Sequence, residues 1–125
     1  MKTQRQKTGR AGEEEACNYL QALGHVILDR NWRSSHLETD IVTLDKAGLH
    51  FVEVKTRRAP VAADPAVNID HSKMQNMAKA AGKYLRANAG KLPDTEVFFD
   101  VITVVFDKDG TKLEYYPQAF IPTYV

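Results

Sequence analysis

The chain has 125 residues, 43% of them hydrophobic and 26% charged, the balance of one soluble domain spanning 1–125 that folds on its own core without a structural metal or disulfides. The single cysteine, Cys17, excludes an internal disulfide framework or multi-cysteine zinc site and fits a reducing, cytoplasmic setting; no apolar leader or run near the ~20 residues of a membrane span is present, which excludes the secreted and membrane classes. The formal net charge is +1, but residues 1–91 hold 15 Lys+Arg against 10 Asp+Glu while residues 92–125 hold 2 against 6, so the positive charge is clustered as a polyanion-binding face requires.

Residues 1–8 read as a disordered basic tail carrying Lys2, Arg5 and Lys7. Ala16, Cys17, Leu20 and Leu23 recur at helical spacing and predict a first helix from Gly9 to Leu23, with Gly24 as its left-handed stop. Strands follow over His25–Arg30, Leu37–Leu44 and Leu49–Lys55, the last two joined by Asp45-Lys46-Ala47-Gly48, and the three form a meander. Pro60 and Pro65 mark a loop from Thr56 to Ile69. Asp70 caps a second helix whose apolar stripe is Met74, Met77, Ala78, Ala81 and Leu85, with Lys73, Lys79, Lys83 and Arg86 mostly off it. A long strand over Glu96–Phe106, a turn at Asp107–Gly110 and a short strand over Lys112–Tyr116 complete the order α-β-β-β-α-β-β.

The chemistry concentrates on two strands. Alternation puts Phe51, Glu53 and Lys55 on one face of the third strand, and Glu38, Asp40, Val42 and Leu44 on one face of the second. If the turn pairs Leu44 with Leu49, the same antiparallel register sets Asp40 opposite Glu53. Neighbouring carboxylates repel unless a proton or cation intervenes, and oxygen donors without His or Cys suit Mg²⁺ or Mn²⁺. A structural salt bridge is the competing account of Glu53 and Lys55. On the first helix, at about 100° per residue, Glu13 falls about 60° from Ala16, 40° from Cys17 and 20° from Leu20, so it faces the core better than Glu14 or Glu15. A carboxylate placed there only to offset the helix dipole is the alternative.

The ordered set Gly12-Glu13, Ala16, Tyr19-Leu20, Gly24, Arg30-Asn31, Glu38-x-Asp40 and Phe51-Val52-Glu53-Val54-Lys55-Thr56-Arg57 resembles the small bacterial proteins called UPF0102 or YraN. The likeness continues through Lys73, Ala81, Tyr84-Leu85 and Phe99-Asp100-Val101 to Ala119-Phe120. That family is similar to restriction-endonuclease-like nucleases of the PD-(D/E)xK type, which include archaeal Holliday junction resolvases. The resemblance implies an αβββαβ core with a mixed sheet flanked by helices. It also implies that Glu13 is the helix acid, Asp40 the motif aspartate, and Glu53 and Lys55 the (D/E)xK pair. Asp40, Glu53 and the carbonyl of Val54 would then hold Mg²⁺ or Mn²⁺. Glu13 would orient the attacking water, directly or through a second water, and Lys55 would steady the nucleophile or the developing phosphorane charge. Two positions depart from the family pattern: Leu37 stands where Gly is usual and Thr39 where Ile is usual, so that no Pro precedes Asp40.

The expected reaction is phosphodiester hydrolysis in DNA rather than RNA, branched DNA included, and the alternative is a nucleic-acid-binding module that keeps the fold without cleaving. Arg10, Arg57, Arg58, Lys73, Lys79 and Lys83 are the candidate phosphate contacts, and a homodimer is what two symmetric cuts in a junction require. Glu38 reads as a supporting acid. His25, His36, His50 and His71 lack metal-ligand spacing and read as surface residues, Cys17 as core, and Trp32 and Tyr19 as packing rather than base-stacking residues.

Overall fold

The computed structural model describes residues 2–60 and 70–121. Its elements are α1 (Gln4–Ala22), β1 (Val26–Ser34), β2 (Leu37–Leu44), β3 (Gly48–Arg58), α2 (His71–Ala87), β4 (Glu96–Asp107) and β5 (Gly110–Phe120), in the order the sequence predicts. The five strands form one sheet in chain order. β1, β2 and β3 are an antiparallel meander, β4 runs parallel to β3 after the α2 crossover, and β5 returns antiparallel to β4. The sheet is therefore mixed, as expected.

Each face of the sheet carries one helix. Ala16, Cys17 and Leu20 of α1 pack on Ile41, Val52, Ile102 and Val104, whereas Met77, Ala78, Ala81 and Tyr84 of α2 pack on Val42, Phe51 and Phe99. Because side chains alternate along a strand, even positions of β3 look toward α1 and odd positions toward α2. That alternation decides which face each acid joins.

Several boundaries differ from the sequence-based expectation. Residues 4–8 are not a disordered tail but the first turns of α1. Thr3 accepts the Gln6 N–H at 3.1 Å while the Gln6 side chain accepts the Thr3 N–H at 2.9 Å, a reciprocal cap that satisfies two donors no helical carbonyl can reach. β1 continues to Ser34, β3 to Arg58 and β5 to Phe120. The predicted loop thus loses its start to β3, and its residues 61–69 lie outside the described residues. Near the end of α2 it is Tyr84 that is buried, its hydroxyl donating to Asp29 at 2.7 Å, whereas Leu85 is 37% exposed. The polar tip of the tyrosine finds its partner on β1, so the larger ring takes the core position.

At its C-terminal end α1 closes as the sequence predicts. Gly24 takes φ +100° and donates to the Gln21 carbonyl at 3.0 Å, while the His25 N–H donates to the Leu20 carbonyl at 3.0 Å. This paired closure needs a left-handed residue, and it fixes where His25 enters the sheet.

Candidate functional site

The Asp45–Gly48 turn sets the β2–β3 register that the sequence implies, with Leu44 opposite Leu49 and the ladder continuing to Ile41 opposite Val52. One step beyond, the strands part. The Val54 N–H is received by the Asp40 carboxylate at 2.9 Å, so a side chain takes over a strand donor where the ladder stops. Leu37 and Thr39, the two departures from the family pattern, are both buried in a regular strand.

The fork opens into a cleft of about 700 Å³ lined by Glu13, Glu38, Asp40, Glu53, Val54 and Thr56 and also by Gln4, Arg5, Thr8, Gly9, Arg57 and Arg58. Asp40 and Glu53 reach it from the α2 side by the strand alternation, and Glu13 from α1. What brings α1 close enough is Gly12: a Cβ there would lie 2.0 Å from the Thr56 hydroxyl. Only a residue without a side chain lets the helix backbone rest on the end of β3.

Burial and mutual repulsion work against ionisation of the acids in this cleft. Burial, and then the neighbouring Glu53, push the Asp40 pKa up to about 7, against the lowering effect of the Val54 hydrogen bond. Glu13 is also raised, by burial and then by Asp40, while a hydrogen bond from Asn31 works the other way. Asn31 lies between residues paired with Ile41 and Thr39, hence across from Asp40, and holds φ +53° within β1. Asparagine tolerates that left-handed backbone better than most residues.

The remaining predicted residues divide. Lys73 is placed by the Asp70 cap, which accepts its N–H at 2.8 Å, and its ammonium pairs with Glu53 at 3.0 Å. It belongs to the acid cluster rather than to an outer basic face. Lys55 shares the Glu53 face by alternation but is not among the cleft-lining residues; burial, and then Arg57, lower its pKa. Arg58 Nε donates to the Thr8 hydroxyl at 2.9 Å and so ties β3 to α1. Arg57 borders the cleft, Arg10 and Lys79 are exposed away from its lining, and Lys83 is half-buried on α2. Glu38 lines the cleft and is paired with Arg33 at 3.1 Å. Arg5 and Thr8 also line it, and the reading of residues 1–8 as a tail hid them.

A second cluster is one that sequence reasoning missed. His25 and His50 are not surface residues: they are 7% and 5% exposed, and with Asp45 they bring one ligand atom each within 4.8 Å of one another. His36 and His71 are exposed, as expected. Burial and then His50 lower the His25 pKa. Burial also opposes charge on His50, but its bonds to Asp100 and Asp45 outweigh that and raise it.

The architecture defines a small α/β protein with a five-stranded mixed sheet and two helices, consistent with a nuclease-like α/β core. The chain belongs to the UPF0102 family: the family described as "Uncharacterised protein family UPF0102" matches residues 12–104. It is 37% identical over 114 residues to a UPF0102 protein of Bacteroides thetaiotaomicron, covering 91% of this chain and 92% of that one. It is 38% identical to a UPF0102 protein of Acidothermus cellulolyticus over 93% and 95% of the two chains. A UPF0102 protein of Oleidesulfovibrio alaskensis is 43% identical over 85% of this chain and 52% of its own length. Among the described residues no helix is long and apolar enough to cross a membrane.

Proposed function

We propose that this chain is a metal-dependent endonuclease that hydrolyses phosphodiester bonds in DNA, branched DNA included, in the cytoplasm. The observation that carries the reading is the convergence of Glu13, Asp40 and Glu53 on one cleft, with the Asp40 pKa pushed up to about 7. Buried carboxylates sharing a site are destabilised until a cation or proton joins them. Their all-oxygen donor set fits a hard divalent ion, Mg²⁺ or Mn²⁺, with Asp40, Glu53 and the Val54 carbonyl as the groups that would hold it. Such an ion supplies Lewis-acid stabilisation of the charge that builds on phosphate.

The chain's own residues do the rest. Glu13 accepts a hydrogen bond from the attacking water and turns its lone pair toward phosphorus, and Asn31 steadies that carboxylate. Lys55 lies on the Glu53 face of β3 but outside the cleft lining, and offsets negative charge in the transition state once substrate extends the site toward it. Arg5, Arg57 and Arg58 border the cleft with the charge a phosphate backbone requires. The Lys73–Glu53 pair favours a second reading, a nucleic-acid-binding module that does not cleave, because a lysine already neutralises one of the acids.

The deciding experiment is a cleavage panel of linear, flapped and four-way-junction DNA with Mg²⁺ or Mn²⁺, with Asp40→Asn as the control. Metal-dependent products that vanish in the variant support the enzyme. Binding without products supports the module.

A further inference from the structure

At the other end of the β2–β3 hairpin, on the α1 face, the α1–β1 junction meets the hairpin turn and the strand that leaves it. His25 comes from the α1–β1 junction, Asp45 from the turn and His50 from β3. His25 Nε2 lies 3.3 Å from Asp45 Oδ2, and His50 Nε2 lies 2.8 Å from Asp45 Oδ1. The two imidazole rings are 4.6 Å apart, centroid to centroid. Each ring has its other nitrogen engaged: His25 Nδ1 sits 2.7 Å from the Thr43 hydroxyl, and His50 Nδ1 2.7 Å from Asp100 Oδ2. Those outer contacts fix the ring orientations and direct both Nε2 atoms toward the same carboxylate.

The outer partners are themselves built in. Asp100 is fully buried, takes the Tyr115 hydroxyl and accepts the Gln118 N–H at 2.9 Å. Asp45 Oδ1 also accepts the Ala47 and Gly48 N–H groups at 2.9 and 3.1 Å, which leaves Oδ2 as the oxygen facing His25. A ring nitrogen held by a carboxylate, as in His50, or by another polar group, as the Thr43 hydroxyl holds His25, is the usual setting of a metal-binding imidazole. The 3.3 Å between His25 Nε2 and Asp45 Oδ2 is what two ligands of a tetrahedral ion with ~2.0–2.1 Å bonds span, and the three ligand atoms lie within 4.8 Å of one another.

We infer that His25 Nε2, His50 Nε2 and Asp45 Oδ2 form a binding site for a divalent transition ion of the zinc class, separate from the carboxylate cleft. Two imidazoles and one carboxylate suit zinc rather than magnesium. Three protein ligands leave a fourth position, and the cluster borders a cavity of about 450 Å³ whose wall includes Leu23, Ala47, Phe98 and Pro117. That opening admits a water or a small anionic ligand to the ion. Binding requires both Nε2 atoms to be unprotonated, so His50 exchanges its proton-mediated contact with Asp45 for the ion and a proton leaves to solvent. The ion would also pin the α1–β1 junction to the hairpin turn.

Equilibrium dialysis of the full chain against Zn²⁺, with excess Mg²⁺ to fill the carboxylate cleft, tests this. One Zn²⁺ per chain is expected in the wild type and in Asp40→Asn, and none in His25→Gln or Asp45→Asn. Failure of the folded wild type to hold Zn²⁺, retention by the His25 variant, or loss in Asp40→Asn would overturn the site. Should the variants not fold, ring-nitrogen NMR of the wild type still decides. Zn²⁺ must shift the signals of His25 and His50 and leave His36 and His71 unmoved, and any other pattern rejects the assignment. The cleavage panel is independent of this result.

Discussion

The Asp40 carboxylate accepts the Val54 N–H at 2.9 Å, and that one bond both ends the β2–β3 ladder and keeps an acid inside the fork. A protonated Asp40 still offers an oxygen to Val54, so the bond survives loss of charge. The energetic conflict at this residue is between its burial beside Glu53 and its ionisation.

Stability without divalent ions should follow from that conflict. The folded chain holds the Asp40 proton more tightly than the unfolded chain, because burial and Glu53 raise the pKa from the ordinary 3.8 to about 7. The stabilising contribution is therefore complete at low pH and is lost as pH climbs through about 7. Asp40→Asn keeps an acceptor for Val54 and removes the charge, so it should raise the stability of the ion-free protein at pH 8 by about 1–3 kcal/mol, with little effect near pH 4. Thermal melts in chelator at the two pH values check both the size and its pH dependence.

Gly12→Ala should damage fold and site together. Its new methyl would fall on Thr56, at 2.0 Å from the hydroxyl and 2.9 Å from Cβ, so rotating the threonine alone cannot relieve it. A loss of about 1–3 kcal/mol follows from overpacking of this kind. Glu13 would be displaced from the cleft as α1 lifts. Denaturant unfolding measures the first effect, and Mn²⁺ affinity the second; a fully stable Gly12→Ala would show that the contact yields.

How much of this the residues announce depends on the range over which each signal acts. The Asp40–Glu53 neighbourhood is legible because two local rules suffice: a period of two along each strand, and a turn that pairs Leu44 with Leu49. The first turns of α1 are legible too, in the Thr3-x-x-Gln6 spacing, but the cluster of basic residues there opposes the helix dipole and argued for a tail. The His25–Asp45–His50 group leaves no such trace. Asp45 and His50 flank one turn, but His25 comes from a helix exit, and only the assembled sheet brings it within reach of them.

Lys73 should compete with a divalent ion. Its ammonium sits 3.0 Å from Glu53, so removing it leaves the cleft more negative and frees a ligand. Lys73→Gln is expected to tighten Mn²⁺ binding several-fold in calorimetry without nucleic acid. Weaker binding would mean that the lysine's main part is to hold Glu53 in position.

Salt dependence separates the residues that border the cleft from the rest of the basic surface. Arg57 and Arg5 line the cleft, whereas Lys79 is exposed on α2 and outside that lining. Each phosphate contact contributes about 0.9 to the slope of log affinity against log salt, because binding releases the counterions that phosphate had condensed. If DNA lies along the carboxylate cleft, Arg57→Gln and Arg5→Gln should each lower the slope by up to about that amount. Lys79→Gln should then leave it unchanged, and the loss in affinity should be the same for all sequences, since phosphate contacts carry no base information. Fluorescence anisotropy over a salt series, with linear duplex and four-way junction compared at equal ionic strength, reads slope and preference together. A slope that falls with Lys79→Gln but not with Arg57→Gln would move the DNA path to the exposed side of α2, off the cleft lining, where no cleavage mechanism at Asp40 and Glu53 could use it.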